Sequence, residues 1–170
     1  IGGIEALLAQ DIQPPVYVLS SFPASFRRLV TANTEMVVSD PGQEITDGIY
    51  TTGKIDGNPD EQALVIETSR GLVMITGCAH PGIVTMVATA KDLFRDPVYL
   101  VLGGFHLGNR SEAQVSAIVE QVRALEVERV APSHCTGAQA IAMFADEYED
   151  DFMRIGAGKV ITILPAATDE

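Results

Sequence analysis

At 170 residues, 46% of them hydrophobic, the chain is sized for one domain with a real core. A formal net charge of -12 and a pI near 4.5 argue against nucleic acid or an anionic membrane surface as the main partner, and leave a small molecule as the expected one. No apolar run approaches the ~20 residues that a membrane helix needs, and two cysteines without a CxxC pair give neither a disulfide framework nor a zinc ribbon, which makes a reducing cytoplasm the expected location.

Taken in chain order, residues 1–10 place Ile1, Ile4, Leu7 and Leu8 on one helical face, without the basic region of a secretory signal. Pro14 and Pro15 end that pattern. A short strand is predicted at 16–19 and a short helix at 22–30, opened by Pro23. Arg27 and Arg28 read as a solvated helix face. From 35 to 75 the texture turns to β, with strands predicted at 36–38, 48–55, 63–67 and 72–75 and a hairpin turn at 68–71. The polar loop 56–62 contains Asp60 and Glu61. Both could ligate a metal, and the plainer reading, solvated loop charge, is preferred.

From Leu72 onward strand and helix alternate. Ile83, Val87, Ala90 and Phe94 form an apolar helical stripe. Residues 98–102 are an unbroken apolar run, as in a strand buried on both faces. Val115, Ile118, Val119, Val122 and Leu125 form a second stripe behind a Ser111–Gln114 capping box. Thr136 and Gln139 repeat that spacing ahead of Ala140, Met143 and Phe144. An acidic stretch at 146–151 reads as a solvated helix end. A last strand is predicted at 160–164, followed by a frayed tail.

Every histidine in the chain follows a predicted strand: His80 after 72–75, His106 after 98–102, His134 after 129–131. A neutral imidazole offers a lone pair near neutral pH, and carboxyl ends of strands are where α/β proteins collect ligands. Three such positions predict one shared metal site. Gly77, Gly103 and Gly104 let the backbone turn sharply beside it. Three imidazoles suit Zn, Fe, Mn or Ni. Cys78 and Cys135 flank the histidines. A Cys/His zinc site is one reading, since Cys78 and His80 are two apart and could share a strand face; the preferred one is small core residues or supports behind the ligands, with Cys135 expected to point away from His134.

The stretches ITGCAHPGIV, VLGGFHLG and APSHCTG, in this order, resemble the later motifs of the metallo-β-lactamase superfamily, and most of all the branch of metal-dependent hydrolases related to dihydropterin ribofuranosyl-aminobenzene phosphate synthase. The resemblance covers essentially the whole chain. It implies an αββα sandwich with a mixed sheet, of which 1–170 would be the C-terminal larger part. It also implies one or two divalent ions, zinc first, and a metal-activated water acting on a phosphoester or related ester bond. His80 matches the family's histidine of the first metal and His134 that of the second. His106 stands at or beside the place of a bridging Asp. Thr136 would support the ligands, and backbone N–H groups of Gly104 or Thr136 would face substrate. The family's H-x-H-x-D-H motif is absent, and IGGIEALL resembles the segment that follows it, so the chain is expected to be a truncated member, weakly active by itself and associating as a homo-oligomer. Two alternatives are a synthase joining a pterin precursor to a phosphoribosyl donor, and a non-catalytic module with vestigial ligands.

Overall fold

The computed structural model describes residues 3–10 and 13–164. Ile1 and Gly2 of the predicted first helix, and the predicted frayed tail from Pro165, lie outside the described residues. A six-stranded mixed sheet forms the frame, in the order β3 (Gln43–Thr46), β4 (Ile49–Thr51), β5 (Leu64–Thr68), β6 (Gly71–Thr76), β7 (Val98–Gly104) and β8 (Arg129–Ser133). Strands β3 to β6 form an antiparallel meander, while β6, β7 and β8 run parallel. The switch follows from connection length: Ser69 and Arg70 suffice to reverse the chain between β5 and β6, whereas helices α3 (Ile83–Phe94) and α4 (Glu112–Ala124) carry the parallel crossovers. As a result, the carboxyl ends of β6, β7 and β8 lie along one edge.

Helices α3, α4 and α5 (Ala138–Tyr148) cover one face, where Val65, Leu72, Met74, Val101 and Val130 of the sheet meet Met86, Val87, Val115, Val122 and Phe144. The opposite face carries Val73, Leu100 and Ala131, packed among the described residues by Met153, Ile155, Ile161 and Ile163. A smaller parallel pair, β1 (Val16–Val18) with β2 (Met36–Val38), lies against α2 (Ala24–Asn33), and α1 (Ile4–Leu8) precedes it in the chain. It is tied to the main sheet by Gln62, whose Nε2 donates to the Tyr17 carbonyl at 3.2 Å. No described helix is long and apolar enough to cross a membrane.

Several sequence expectations need correction. The predicted strand 48–55 ends at Thr51, because Gly53 turns with φ +65, and Ile55 makes only an isolated bridge to Glu61. The edge strand Gln43–Thr46 was not predicted, since QEIT lacks a strong apolar alternation. Residues 160–164 form no strand: Ile161 and Ile163 lie on the sheet face instead of along an edge, and Val160 is 80% exposed. The Ser111–Gln114 capping box is formed, with Ser111 N–H donating to Gln114 Oε1 at 3.0 Å. The Thr136–Gln139 box is not, because Gly137 is the cap residue of α5 and Thr136 is fully buried elsewhere. The acidic stretch is docked by arginine: Arg129 Nε reaches Asp151 Oδ1 at 3.3 Å and Arg123 Nη2 donates to the Glu147 carbonyl at 2.7 Å.

Candidate metal centre

Each parallel strand leaves the sheet through a residue in the left-handed region: Ala79 (φ 59) before His80 in the chain, His106 itself (φ 52) and His134 itself (φ 51). Such conformations are uncommon for residues with a Cβ, and surrounding structure must hold them. Here the holding groups are visible. Gly104 N–H donates to the Gly77 carbonyl at 3.0 Å, and the Thr76 hydroxyl donates to the Gly104 carbonyl at 2.9 Å, which ties the ends of β6 and β7 together. The buried Thr136 hydroxyl donates to the Ser133 carbonyl at 2.6 Å and accepts from Phe105 N–H at 3.1 Å, which ties the β8 turn to β7. Thr136 thus braces the backbone on which His106 and His134 stand.

The imidazoles of His80 and His106 lie against one another, ring centres 4.3 Å apart and planes tilted by 48°. Behind His80 stands Glu61. Its Oε1 pairs with His80 Nδ1, and its Oε2 accepts from the His80 backbone N–H at 3.3 Å. A carboxylate can only accept, which places a ring hydrogen on Nδ1, so that in the neutral imidazole Nε2 carries the lone pair. Carboxylates orient metal-binding histidines in this way. Glu61 is therefore not the solvated loop charge expected from sequence: its side chain is only 15% exposed. Asp60 next to it is a loop residue, accepting from Gly57 N–H at 3.1 Å, and that bond holds its carboxyl below the ordinary range. Spacing alone could not separate the two, because the partner of Glu61 lies 19 residues downstream.

His134 does not join the two other histidines in one cluster. Its ligand atom groups with the thiols of Cys78 and Cys135, all within 4.8 Å of one another, and Cys78 also groups with Glu61 and His80 on the same criterion. Cys78 thus stands between the two halves of the centre. The expectation that Cys135 points away from His134 fails for a local reason: His134 opens a 3-10 turn, in which successive side chains do not alternate as in a strand. Burial pushes the Cys78 thiol up to about 11, with Cys135 and the charge of Glu61 adding to the shift, so without a cation it is a neutral thiol.

Two clefts open on the site. One of about 460 Å³ is lined by His106, Gly108, Asn109, Arg110 and Cys135, and one of about 170 Å³ is lined in part by His80, His106, Arg110 and Gln121. Arg110 faces both and is exposed, yet sequence analysis did not single it out; a cation two residues past GGFHLG was the available signal. The donor set suits a divalent ion: imidazoles presented from rigid strand ends, one fixed in tautomer by a carboxylate, with soft sulfur alongside.

No family model matches the chain. Over 108 residues it is 39% identical to the 7,8-dihydropterin-6-methyl-4-(beta-D-ribofuranosyl)-aminobenzene-5'-phosphate synthase of Methanocaldococcus jannaschii, a match covering 63% of this chain and 37% of that protein. Over 91 residues it is 34% identical to an uncharacterised protein of the same organism, covering 54% of this chain and 34% of that one. A crystal structure of a metal-dependent hydrolase of the β-lactamase superfamily superimposes with a TM-score of 0.69 at 30% identity, covering 78% of this chain and 60% of that chain. The mixed sheet and the helix layer make this an α/β protein whose fold is similar to that of a metal-dependent hydrolase of the β-lactamase superfamily. In sequence the chain is similar to the dihydropterin ribofuranosyl-aminobenzene phosphate synthase, and the match spans little more than a third of that relative's length.

Proposed function

We propose that the chain carries part of the active site of a metal-dependent hydrolase acting on a phosphoester or related ester, with His80, His106 and His134 as metal ligands. The observation that carries the reading is the Glu61–His80 pair set against His106 at the carboxyl ends of parallel strands. Zinc is the first choice of ion, because nitrogen and sulfur donors surround the site. When bound, such an ion lowers the pKa of a coordinated water and polarises the bond under attack. The chain's own contributions are separate. Glu61 holds His80 in one tautomer, Thr136 braces the turns, and Arg110 at the mouth of both clefts supplies the local positive charge that an anionic small molecule needs on so acidic a protein. Two free thiols this close together fit a reducing compartment, and the reading places the protein in the cytoplasm.

The 39% identity to a synthase favours a second reading, in which the same centre joins a pterin precursor to a phosphoribosyl donor. The test is a metal-binding titration of the purified chain, followed by product analysis with an aryl phosphodiester and, separately, with a pterin plus a phosphoribosyl donor. The hydrolase reading expects divalent-ion binding at the histidine pair, which His80→Ala weakens. It also expects slow metal-dependent release of the phenol, slow because the sequence contains no H-x-H-x-D-H motif. Condensation product without phenol release supports the synthase. Absence of metal binding contradicts both.

A further inference from the structure

We propose that Cys78, Cys135 and His134 together hold a thiophilic divalent cation, a sulfur-containing ion position beside the histidine pair. The ligand atoms of these three side chains lie within 4.8 Å of one another before any ion is present. A tetrahedral zinc ion, with Zn–S about 2.3 Å and Zn–N about 2.0–2.1 Å, sets its ligands about 3.6–3.8 Å apart. Closing the gap therefore takes about 1 Å of side-chain movement at most. The three groups come from two separate strand ends, after β6 and after β8, with β7 between them, so the fold brings them together. Gly104 of β7 keeps the space clear: a Cβ there would stand 2.9 Å from Cys135 Sγ and 3.1 Å from Cys78 Cα. The Cys135 thiol already points across this gap, 3.6 Å from the Cys78 carbonyl. Three protein donors leave one position of a tetrahedral ion free, and Cys135 also lines a cleft with Arg110. Sulfur donors select zinc, cadmium or cobalt over magnesium and calcium.

The inference shares His134 with the proposed hydrolase but needs neither His80 nor His106. The test is titration of the reduced full chain with cobalt(II) under argon, read by absorption. Sulfur ligation gives an intense near-ultraviolet charge-transfer band that nitrogen and oxygen donors do not. The band is expected in the wild type and in His80→Ala, is expected to weaken in Cys78→Ser and Cys135→Ser, and is displaced by zinc but not by magnesium. Each serine variant should also lower zinc affinity at least about 10-fold. A second readout needs no variant: bound zinc should protect both thiols of the wild type from alkylation. Cobalt bound without the sulfur band, thiols alkylated equally with and without zinc, or serine variants of unchanged affinity would overturn the proposal. Metal-dependent hydrolysis persisting without the sulfur band would leave the hydrolase reading standing and sink this one. The band without hydrolysis would do the reverse.

Discussion

Glu61 is the residue on which the geometry of His80 depends. It receives both the ring and the backbone N–H of His80 from a loop on the far side of the β5–β6 hairpin. Glu61→Gln keeps the shape but gives up the charge that favours the Nδ1–H tautomer. Zinc affinity, measured by competition with a chromophoric chelator, should fall about 10-fold, in line with other carboxylates behind metal-binding histidines. Asp60→Asn, one residue away, should leave it within about twofold. Equal losses at both positions would mean that loop charge in general, and not the pair, attracts the ion. At this scale the three histidines were legible in sequence because each follows an apolar run. Glu61 was not, because an Asp-Glu pair in a polar loop looks the same whether or not one member turns inward. Nor could the sequence show that Cys78 stands between the two ligand groups, since that depends on β6 and β8 flanking β7.

Among the elements, the parallel strands and crossover helices were readable, since period and length agree. Misreadings fell where a side chain bonds across elements. Thr136 has the spacing of a helix cap, yet its hydroxyl serves Ser133 and Phe105. Thr136→Val is nearly the same size and strands the buried Phe105 N–H, so chemical denaturation should show a loss of about 1–3 kcal/mol. Gln139→Ala, predicted as the other half of that box, should cost under about 0.5 kcal/mol. At the end of α5, Tyr148 is buried beneath the Arg123 guanidinium, which stands 3.7 Å from its ring centre. Burial pushes its phenol up to about 12 from 10.0, although the positive charge of Arg123 pulls the other way. Below the unfolded value the phenol is neutral in both states. Between pH 10 and 12 the unfolded chain releases this proton and the folded chain keeps it, so stability falls as pH rises through that window. Tyr148→Phe should lose less stability there than the wild type in pH-dependent urea melts, and a parallel loss would show that the ring is hydrated.

At the scale of the molecule, among the described residues, helices cover one face of the sheet and the 153–164 segment covers the other more thinly. Around Val73, Leu100 and Ala131 the 153–164 segment supplies isoleucines, but a cavity of about 570 Å³ lies between it and the sheet, and no histidine lines it. Apolar surface of this kind drives association, and the high negative charge opposing it is screened over about 8–10 Å in physiological salt. Sedimentation at micromolar concentration should show dimers or larger species that strengthen with salt. A monomer at all salt concentrations would mean that the 153–164 segment seals the face by itself. The central claim is that the parallel strand ends form a metal centre built on the Glu61–His80 pair, and anomalous diffraction at the zinc edge from crystals grown with zinc tests it most directly. A strong peak is expected about 2.0–2.1 Å from His80 Nε2, with Glu61 still on Nδ1. Peaks confined to surface carboxylates, with the His80 and His106 rings empty, would contradict it.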